Sequence, residues 1–322
     1  MALLRDAGDD FASAIDNAAQ TLGLAPTFVE KDYWVTQVLR ELHVRYPGGF
    51  VFKGGTSLSK GYGLIDRFSE DVDILVLPAK DDSARAREKL LASISIDVAE
   101  ALNMDLTEKR PPGRGRAAHR ADVLAHPKVT SSAIATPFEN RGVLLETGFA
   151  GGDWPSEMVT LEPMLCGPLG LDPAEYEDTE RFVVRALRPE RTLLEKLSLL
   201  HHVASEFDAK TSDDARCGRH YYDVYRLLDH GPTRSALGDR AQFHITLSHM
   251  ETVSKHYGGW TARPEDGYAS SPAFSPPDGS DLRAWLAQLY TDAAGLLPAK
   301  TTGAWPTFGR VLGRIGEHAK LL

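Results

Sequence analysis

Residues 52–76 read Phe52-Lys-Gly-Gly-Thr-Ser-Leu-Ser-Lys-Gly-Tyr-Gly-Leu-Ile-Asp-Arg-Phe-Ser-Glu-Asp-Val-Asp-Ile-Leu-Val76. A short apolar strand leads into Gly54 and Gly55, where the lack of a side chain lets a phosphate approach the backbone. Thr56 and Ser57 add hydroxyl donors where a short helix begins, and the N–H groups and dipole of a helix start favour an anion. Gly-Gly pairs also form ordinary tight turns, so this turn indicates a phosphate site only in combination with the acids of the next strand.

Two aspartates, Asp71 and Asp73, stand two residues apart in the next predicted strand. Side chains alternate between the faces of a strand, so both carboxylates point one way, while Val72, Ile74 and Val76 form the buried face. Two carboxylates on one face repel each other unless a cation lies between them. Mg²⁺ takes oxygen ligands, often one or two carboxylates together with substrate phosphates. The alternative is a half-exposed edge strand whose acids have no function.

Together, the Gly-Gly turn and the Asp-x-Asp strand resemble the signature of the DNA polymerase β-like nucleotidyltransferases. The spacer of fifteen residues, Thr56 to Glu70, is longer than the general pattern and resembles that of the AbiEii/AbiGii toxins, also called MenT-type toxins. That branch carries Lys-Gly-Gly-Thr-(Ser/Ala)-Leu and Arg-Phe-Ser-Glu-Asp-(Ile/Val)-Asp, which the segments 53–58 and 67–73 match. The upstream run Glu30-Lys-Asp-Tyr33 is also similar to the family.

Two later motifs extend the resemblance to about residues 28–230. The segment 189–197 resembles a family helix whose functional lysine falls on Lys196, and 219–228 resembles a helix that places a functional aspartate at Asp223. Taken alone, Lys196 also fits an outward-pointing lysine on an apolar helix. Asp223 also fits a surface ion pair with Arg219, one turn earlier. Residues 231–322 carry no recognised motif.

The resemblance implies transfer of a nucleoside monophosphate from an NTP to an acceptor, with release of pyrophosphate. It implies catalytic roles for Asp71, Asp73, Lys196 and Asp223, with Mg²⁺ bound by the two aspartates of the strand. It implies that the NTP is bound by Lys53, Gly54, Gly55, Thr56, Ser57 and Arg67. For the third metal-binding carboxylate we expect Glu146, in the strand-like run 143–148, with Glu162 as its competitor.

In the toxin branch the acceptor is, for some members, the 3′ end of tRNA, where added nucleotides block charging. We therefore expect a toxin of a toxin–antitoxin or phage-defence system that stops translation, with a separate antitoxin protein as its partner. The alternatives are a nucleotidyltransferase acting on a small molecule or a protein, and a catalytically silent nucleotide-binding module. The basic run 109–120 favours a polyanionic acceptor, although it also suits a solvated hairpin tip.

The remaining sequence predicts the domain organisation. A chain of 322 residues is typical of about two domains. Helix and strand alternate first, and helices dominate later. We therefore predict an α+β fold, with a polymerase-β-like nucleotidyltransferase domain containing a mixed sheet and N-terminal helices (1–188) before a mostly helical C-terminal domain (189–322).

Composition excludes several classes of protein. A net charge of −9, from 36 basic and 45 acidic residues, disfavours a protein that coats nucleic acid by bulk charge. The two cysteines lack a metal-binding spacing, which predicts neither a zinc site nor a disulfide framework and favours the cytoplasm. The chain has no apolar run of about 18 residues, so we expect no membrane span.

Overall fold

The computed structural model describes residues 2–69, 71–78, 82–108, 118–129, 142–171, 175–208, 217–257, 260–296 and 305–322. The chain divides into two compact units. The first comprises Met1–Tyr62, Phe68–Phe149 and Ser156–Ala186, and the second comprises Gly63–Arg67, Ala150–Pro155 and Leu187–Leu322. The boundary expected between residues 188 and 189 stays a prediction, and the structure adds that two short segments of the first half belong to the second unit.

The first unit is built on a mixed sheet. Its strands are β1 (Phe50–Lys53), β2 (Asp71–Val76), β3 (Asp105–Glu108), β4 (His119–Ala125), β5 (Gly142–Gly148), β6 (Ser156–Leu161) and β7 (Phe182–Leu187). They lie in the order β3-β4-β5-β2-β1-β7-β6. β2 runs parallel to β5 and β1 parallel to β7, whereas β1–β2, β3–β4 and β4–β5 are antiparallel.

The position of β2 decides one of the alternatives left open by the sequence. The strand lies inside the sheet, between β5 and β1, so the interpretation of Asp71 and Asp73 as acids on an edge strand is wrong. The predicted α+β class with a mixed sheet is confirmed.

The helices of this unit are α1 (Asp9–Leu22), α2 (Pro26–Arg45), α3 (Gly54–Thr56), α4 (Ala84–Leu102) and α5 (Cys166–Leu169). α3 runs on into a π-helical turn, Ser57–Gly61. The sequence predicts one apolar face for α2, but the helix is buried on all sides from Phe28 to Leu39. The physical reason is that α1, α4, β2 and β5 all pack against it.

The second unit is helical, with α6 (Pro189–Ser205), α7 (Arg219–Asp229), α8 (Gly231–Gly238), α9 (Arg240–Tyr257), α10 (Asp281–Asp292) and α11 (Phe308–Glu317). The Pro/Gly/Ser-rich stretch 262–279 is a loop as expected, but it is not a linker. Tyr268, Ser271 and Ala273 are fully buried, and the hydroxyl of Tyr221 donates to the carbonyl of Ala273 at 2.8 Å. The loop therefore belongs to the core of this unit.

Among the described residues, no helix combines the length and the apolar character needed to cross a membrane.

Candidate active site

The turn after β1 brings a glycine against an acid of β2. Gly54 has a φ of +77°, in the left-handed region that favours glycine. A β-carbon on Gly54 would lie 2.0 Å from Oδ2 of Asp73. Glycine is therefore required twice at this position, once by the backbone conformation and once by the approach of the carboxylate.

The hydroxyl groups of Thr56 and Ser57 donate hydrogen bonds to backbone carbonyls of the protein. The Thr56 hydroxyl donates to the backbone carbonyl of Asp71, and the Ser57 hydroxyl donates to the carbonyl of Gly54 at 2.9 Å. Both residues are buried, at 2% and 0% exposure. The protons of both hydroxyls are used within the turn and in its contact with β2, and the role of Thr56 and Ser57 in binding a nucleotide stays a prediction.

The strand register assembles the predicted carboxylates on one face of the sheet. Asp73 lies opposite Glu146 of β5 on one side and opposite Lys53 of β1 on the other. Cross-strand partners share a face, and Asp71 shares it because it stands two residues away. Val72, Ile74 and Val76 lie on the opposite face, with exposures of 0–2%, and Asp71 is itself buried, at 1% exposure.

The carboxylates of this face repel one another electrostatically. Burial and the neighbouring Glu146 and Asp71 carboxylates raise the pKa of Asp73 to about 7, against the opposing charge of Lys53. Asp73 and Glu146 also share a hydrogen bond. A bound cation would relieve this repulsion, which is the condition under which carboxylates hold metals.

The donors at this face fit a hard divalent cation. Carboxylate oxygens suit Mg²⁺, which commonly binds one or two of them and completes its shell with substrate phosphates and water. In the part of the chain that the structure describes, no three side chains of the His, Cys, Asp and Glu types form a ready-made metal site. Asp71, Asp73 and Glu146 supply the oxygen donors that Mg²⁺ prefers, and their role as metal ligands stays a prediction.

Glu162, the competitor for the third carboxylate, lies elsewhere. It comes directly after β6, at the far edge of the sheet, and pairs with Arg181, with 2.6 Å between Oε2 and Nε. The structure thus brings Glu146, and not Glu162, next to Asp73.

A second charged cluster lies inside the helical unit and is centred on Asp223, which is fully buried. Arg67 donates to both carboxylate oxygens, at 2.7 Å from Nε and 2.6 Å from Nη2. The Nζ of Lys196 lies 2.7 Å from Oδ2. Burial raises the pKa of Asp223, but Arg67 and Lys196 overcome this and hold it well below its usual range.

This cluster decides two of the alternatives left open by the sequence. Lys196 is 4% exposed, so it does not point outward along the helix surface. Asp223 is not part of a surface ion pair, because it is buried against Arg67 and Lys196. Arg67 is 2% exposed and pairs with Asp223, and its expected role in binding the nucleotide stays a prediction.

His220 joins the same cluster, and the sequence gives it no decisive signal. Its Nδ1 lies 3.2 Å from Nζ of Lys196 and 3.8 Å from Oδ2 of Asp223. Burial, with the charge of Lys196, lowers the pKa of His220 to about 3. The ring is therefore neutral near pH 7, and an ammonium donating to Nδ1 places its proton on Nε2.

The basic run divides between described and undescribed residues. Residues 109–117, including Arg114 and Arg116, lie outside the described residues, as does Glu70 of the Asp-x-Asp motif. Arg120 belongs to β4 and makes a two-pronged contact with Asp122, at 2.5 and 2.9 Å. Arg120 therefore does not act as an arm that is open to phosphate.

Replacing Gly54 by alanine tests both requirements at this position, the positive φ and the close approach of Asp73. We expect Gly54→Ala to lower the free energy of unfolding by more than the roughly 1 kcal/mol that a left-handed alanine costs. The control is Gly63→Ala, since Gly63 has a φ of +63° with nothing within 4 Å of a β-carbon. Equal losses in chemical denaturation would contradict the close contact with Asp73.

The buried cluster predicts that replacing Asp223 lowers the stability of the protein more than replacing Lys196 does. Asp223→Asn strands two buried cations, and we expect it to cost about 3–5 kcal/mol. Lys196→Met leaves the Arg67–Asp223 pair intact and should cost less. Folding lowers the pKa of Asp223. Its contribution to the free energy of unfolding is therefore fully present above about pH 4 and is lost as the pH falls through the pKa of the folded state. The thermal midpoint at pH 7 should be lower for Asp223→Asn than for Lys196→Met. The reverse order would contradict the central place of Asp223 in the cluster.

Comparison with known proteins identifies the family. The sequence model described as nucleotidyl transferase AbiEii toxin, type IV TA system, matches residues 37–294. The match passes residue 230, where the sequence motifs stop. No curated protein sequence matches the chain. The solved structure of MenT4, a nucleotidyltransferase toxin from Mycobacterium tuberculosis H37Rv, is 17% identical over 96% of this chain and 98% of that chain, with a TM-score of 0.39.

The assignment depends on the family match, which spans most of the chain. The chain therefore belongs to the AbiEii nucleotidyltransferase toxin family of type IV toxin–antitoxin systems.

Proposed function

We propose that this toxin is a Mg²⁺-dependent enzyme of the cytoplasm that moves a nucleoside monophosphate from an NTP to the 3′ end of tRNA. The observation that carries the proposal is the approach of the Gly54 backbone to Asp73, on the face that also holds Asp71 and Glu146. This arrangement offers backbone for a phosphate beside carboxylates for a cation. Nucleotides added at the tRNA 3′ end would block charging and hence translation.

Asp71 and Asp73 would hold the metal, with Glu146 as the third carboxylate. Bound Mg²⁺ would supply positive charge that stabilises the phosphate oxygens and lowers the pKa of the attacking hydroxyl. The backbone of Gly54 and Gly55 would bind phosphate oxygens. In the reaction the acceptor hydroxyl gives up its proton to solvent and its oxygen bonds to the α-phosphorus. The bond from the α-phosphorus to the α,β-bridging oxygen breaks, and pyrophosphate leaves. Catalysis then depends on positioning and charge rather than on covalent chemistry of the protein.

The remaining roles divide between binding and positioning. Lys53 would balance charge at the acid face, since it already lowers the pKa of Asp73. Lys196 would bind the triphosphate, which is supported by the likeness of the segment 189–197 to the family helix that carries a functional lysine. Asp223 has no exposed atom to meet a substrate, so it would position Lys196. Thr56 and Ser57 would contribute through their backbone.

Family membership implies an NTP as substrate and an antitoxin as partner. It leaves two other acceptors to be tested, a small molecule and a protein. The intact set of carboxylates on one face of the sheet favours an active enzyme over a silent nucleotide-binding module.

Removal of either metal-binding charge tests the chemistry. We expect Asp71→Asn and Asp73→Asn to reduce transfer of α-labelled NMP by about a hundredfold or more, while the fold is kept because a source of like-charge repulsion is removed. Asp16→Asn, on the exposed face of α1, is the matched control. Turnover by either variant close to that of the control would contradict the mechanism.

The basic run allows a test of the acceptor. If Arg114 and Arg116 contact the polyanion, replacing both by Gln should weaken tRNA binding and reduce the slope of log K against log salt by about 1.5–2. Binding of an NTP analogue should not change. Arg120 is left in place because it pairs with Asp122. Equal salt slopes for wild type and variant would show that the run has no part in tRNA binding.

A further inference from the structure

Three consecutive charged residues are buried on α2. Glu30, Lys31 and Asp32 are 3%, 4% and 8% exposed. Burial of a charge is unfavourable unless the group is paired and hydrogen-bonded. Successive residues on a helix point about 100° apart, so the three cannot share one partner. Each therefore needs an explanation from its own contacts.

The contacts lead to different elements of the first unit. The carboxylate of Glu30 accepts a hydrogen bond from the N–H of Val129 at 2.7 Å. Lys31 donates to the carbonyl of Gly142, the first residue of β5. Asp32 uses both of its oxygens, one toward Lys60 and one toward Met164.

Asp32 joins the nucleotide-binding turn to α2. Its Oδ1 lies 2.7 Å from Nζ of Lys60, and its Oδ2 accepts from the N–H of Met164 at 2.7 Å. Lys60 lies in the π-helical turn that continues α3, four residues after Thr56. The side chains of this pair are 7% and 10% exposed, so solvent does little to loosen the contact.

The turn is thereby fixed at both ends. Near its start, the hydroxyl of Thr56 binds the backbone carbonyl of Asp71. At its far end, Lys60 binds Asp32. A segment held in this way keeps the Gly54 backbone at a set distance from the acids of β2. A displacement of about 1 Å can cost a hundredfold in rate, so such fixing matters for phosphate chemistry.

We propose that Asp32 is a positioning residue for the NTP, acting through its ion pair with Lys60 to set the place of the Gly54–Ser57 turn relative to Asp71 and Asp73. This inference rests on the proposed role of the turn in binding triphosphate. Lys60 holds the turn and does not itself bind phosphate, because its ammonium is committed to a buried carboxylate.

The test separates positioning from simple stabilisation. Asp32→Asn and Lys60→Met each strand one buried charge and should lower the thermal midpoint. The double variant removes both charges, so its midpoint should recover toward that of wild type. The matched control removes an exposed ion pair on the same helix, by Glu41→Gln with Arg45→Met, where Nε and Oε2 are 3.0 Å apart.

If the pair positions the turn, the double variant should keep a kcat/KM for the NTP about tenfold or more below wild type despite its recovered stability. It should also bind a non-hydrolysable α,β-methylene NTP with Mg²⁺ more weakly, while the control pair changes neither value. Recovery of kcat/KM together with the thermal midpoint would overturn the proposal, since the pair would then only stabilise the fold.

A second variant covers the case in which the double variant fails to recover its stability. Lys60→Arg keeps the ion pair but holds the turn with a larger, planar group. We expect near-wild-type stability with a raised KM for the NTP and an unchanged KM for tRNA. An unchanged KM for the NTP would overturn the proposal.

The analogue also distinguishes this inference from the proposed function. If wild type binds the analogue but labels no acceptor, the proposed transfer to tRNA is contradicted. The affinities of wild type and double variant for the analogue then still test the role of Asp32. If wild type binds no analogue, the proposed nucleotide site is contradicted, and the inference on Asp32 is overturned with it. If both bind equally while wild type labels tRNA, the inference on Asp32 alone is overturned.

Discussion

The contact between the Gly54 backbone and the Asp73 carboxylate is the constraint around which the first unit is organised. It requires a glycine with positive φ at the end of β1 and a carboxylate directed toward it from β2. On the other side of β2, β5 places Glu146 beside Asp73. The resulting like-charge repulsion is unfavourable for the protein alone. This repulsion is the basis for the proposal that the face takes up a cation.

The buried cluster of the helical unit has the opposite electrostatic balance. Asp223 is stabilised by two cations, so its carboxylate stays charged at every physiological pH. At the carboxylate face, burial and the neighbouring Glu146 and Asp71 carboxylates outweigh Lys53 and raise the pKa of Asp73 to about 7. The pKa of one buried carboxylate is therefore lowered by its neighbours, whereas the pKa of the other is raised.

Local patterns predicted the elements of the site but not their partners. The alternation of Val72, Ile74 and Val76 with the aspartates predicted the correct buried face, because strand periodicity is a local property. The pairing of Arg67 with Asp223 joins residues 156 positions apart, and no local pattern encodes such a contact. The sequence therefore could not show that Lys196 is buried, or that the hydroxyls of Thr56 and Ser57 are used within the turn. The preference for Glu146 over Glu162 likewise needed the register of β2 with β5.

The most direct test of the proposed reaction is to incubate the purified chain with Mg²⁺, each of the four α-labelled NTPs in turn, and bulk tRNA. Small acceptors and the protein alone serve as parallel reactions. We expect label to appear in tRNA, to map to its 3′ end on sequencing, and to vanish when EDTA removes the metal. Label in the small acceptors or the protein but not in tRNA, or transfer that persists in EDTA, would contradict the proposed reaction.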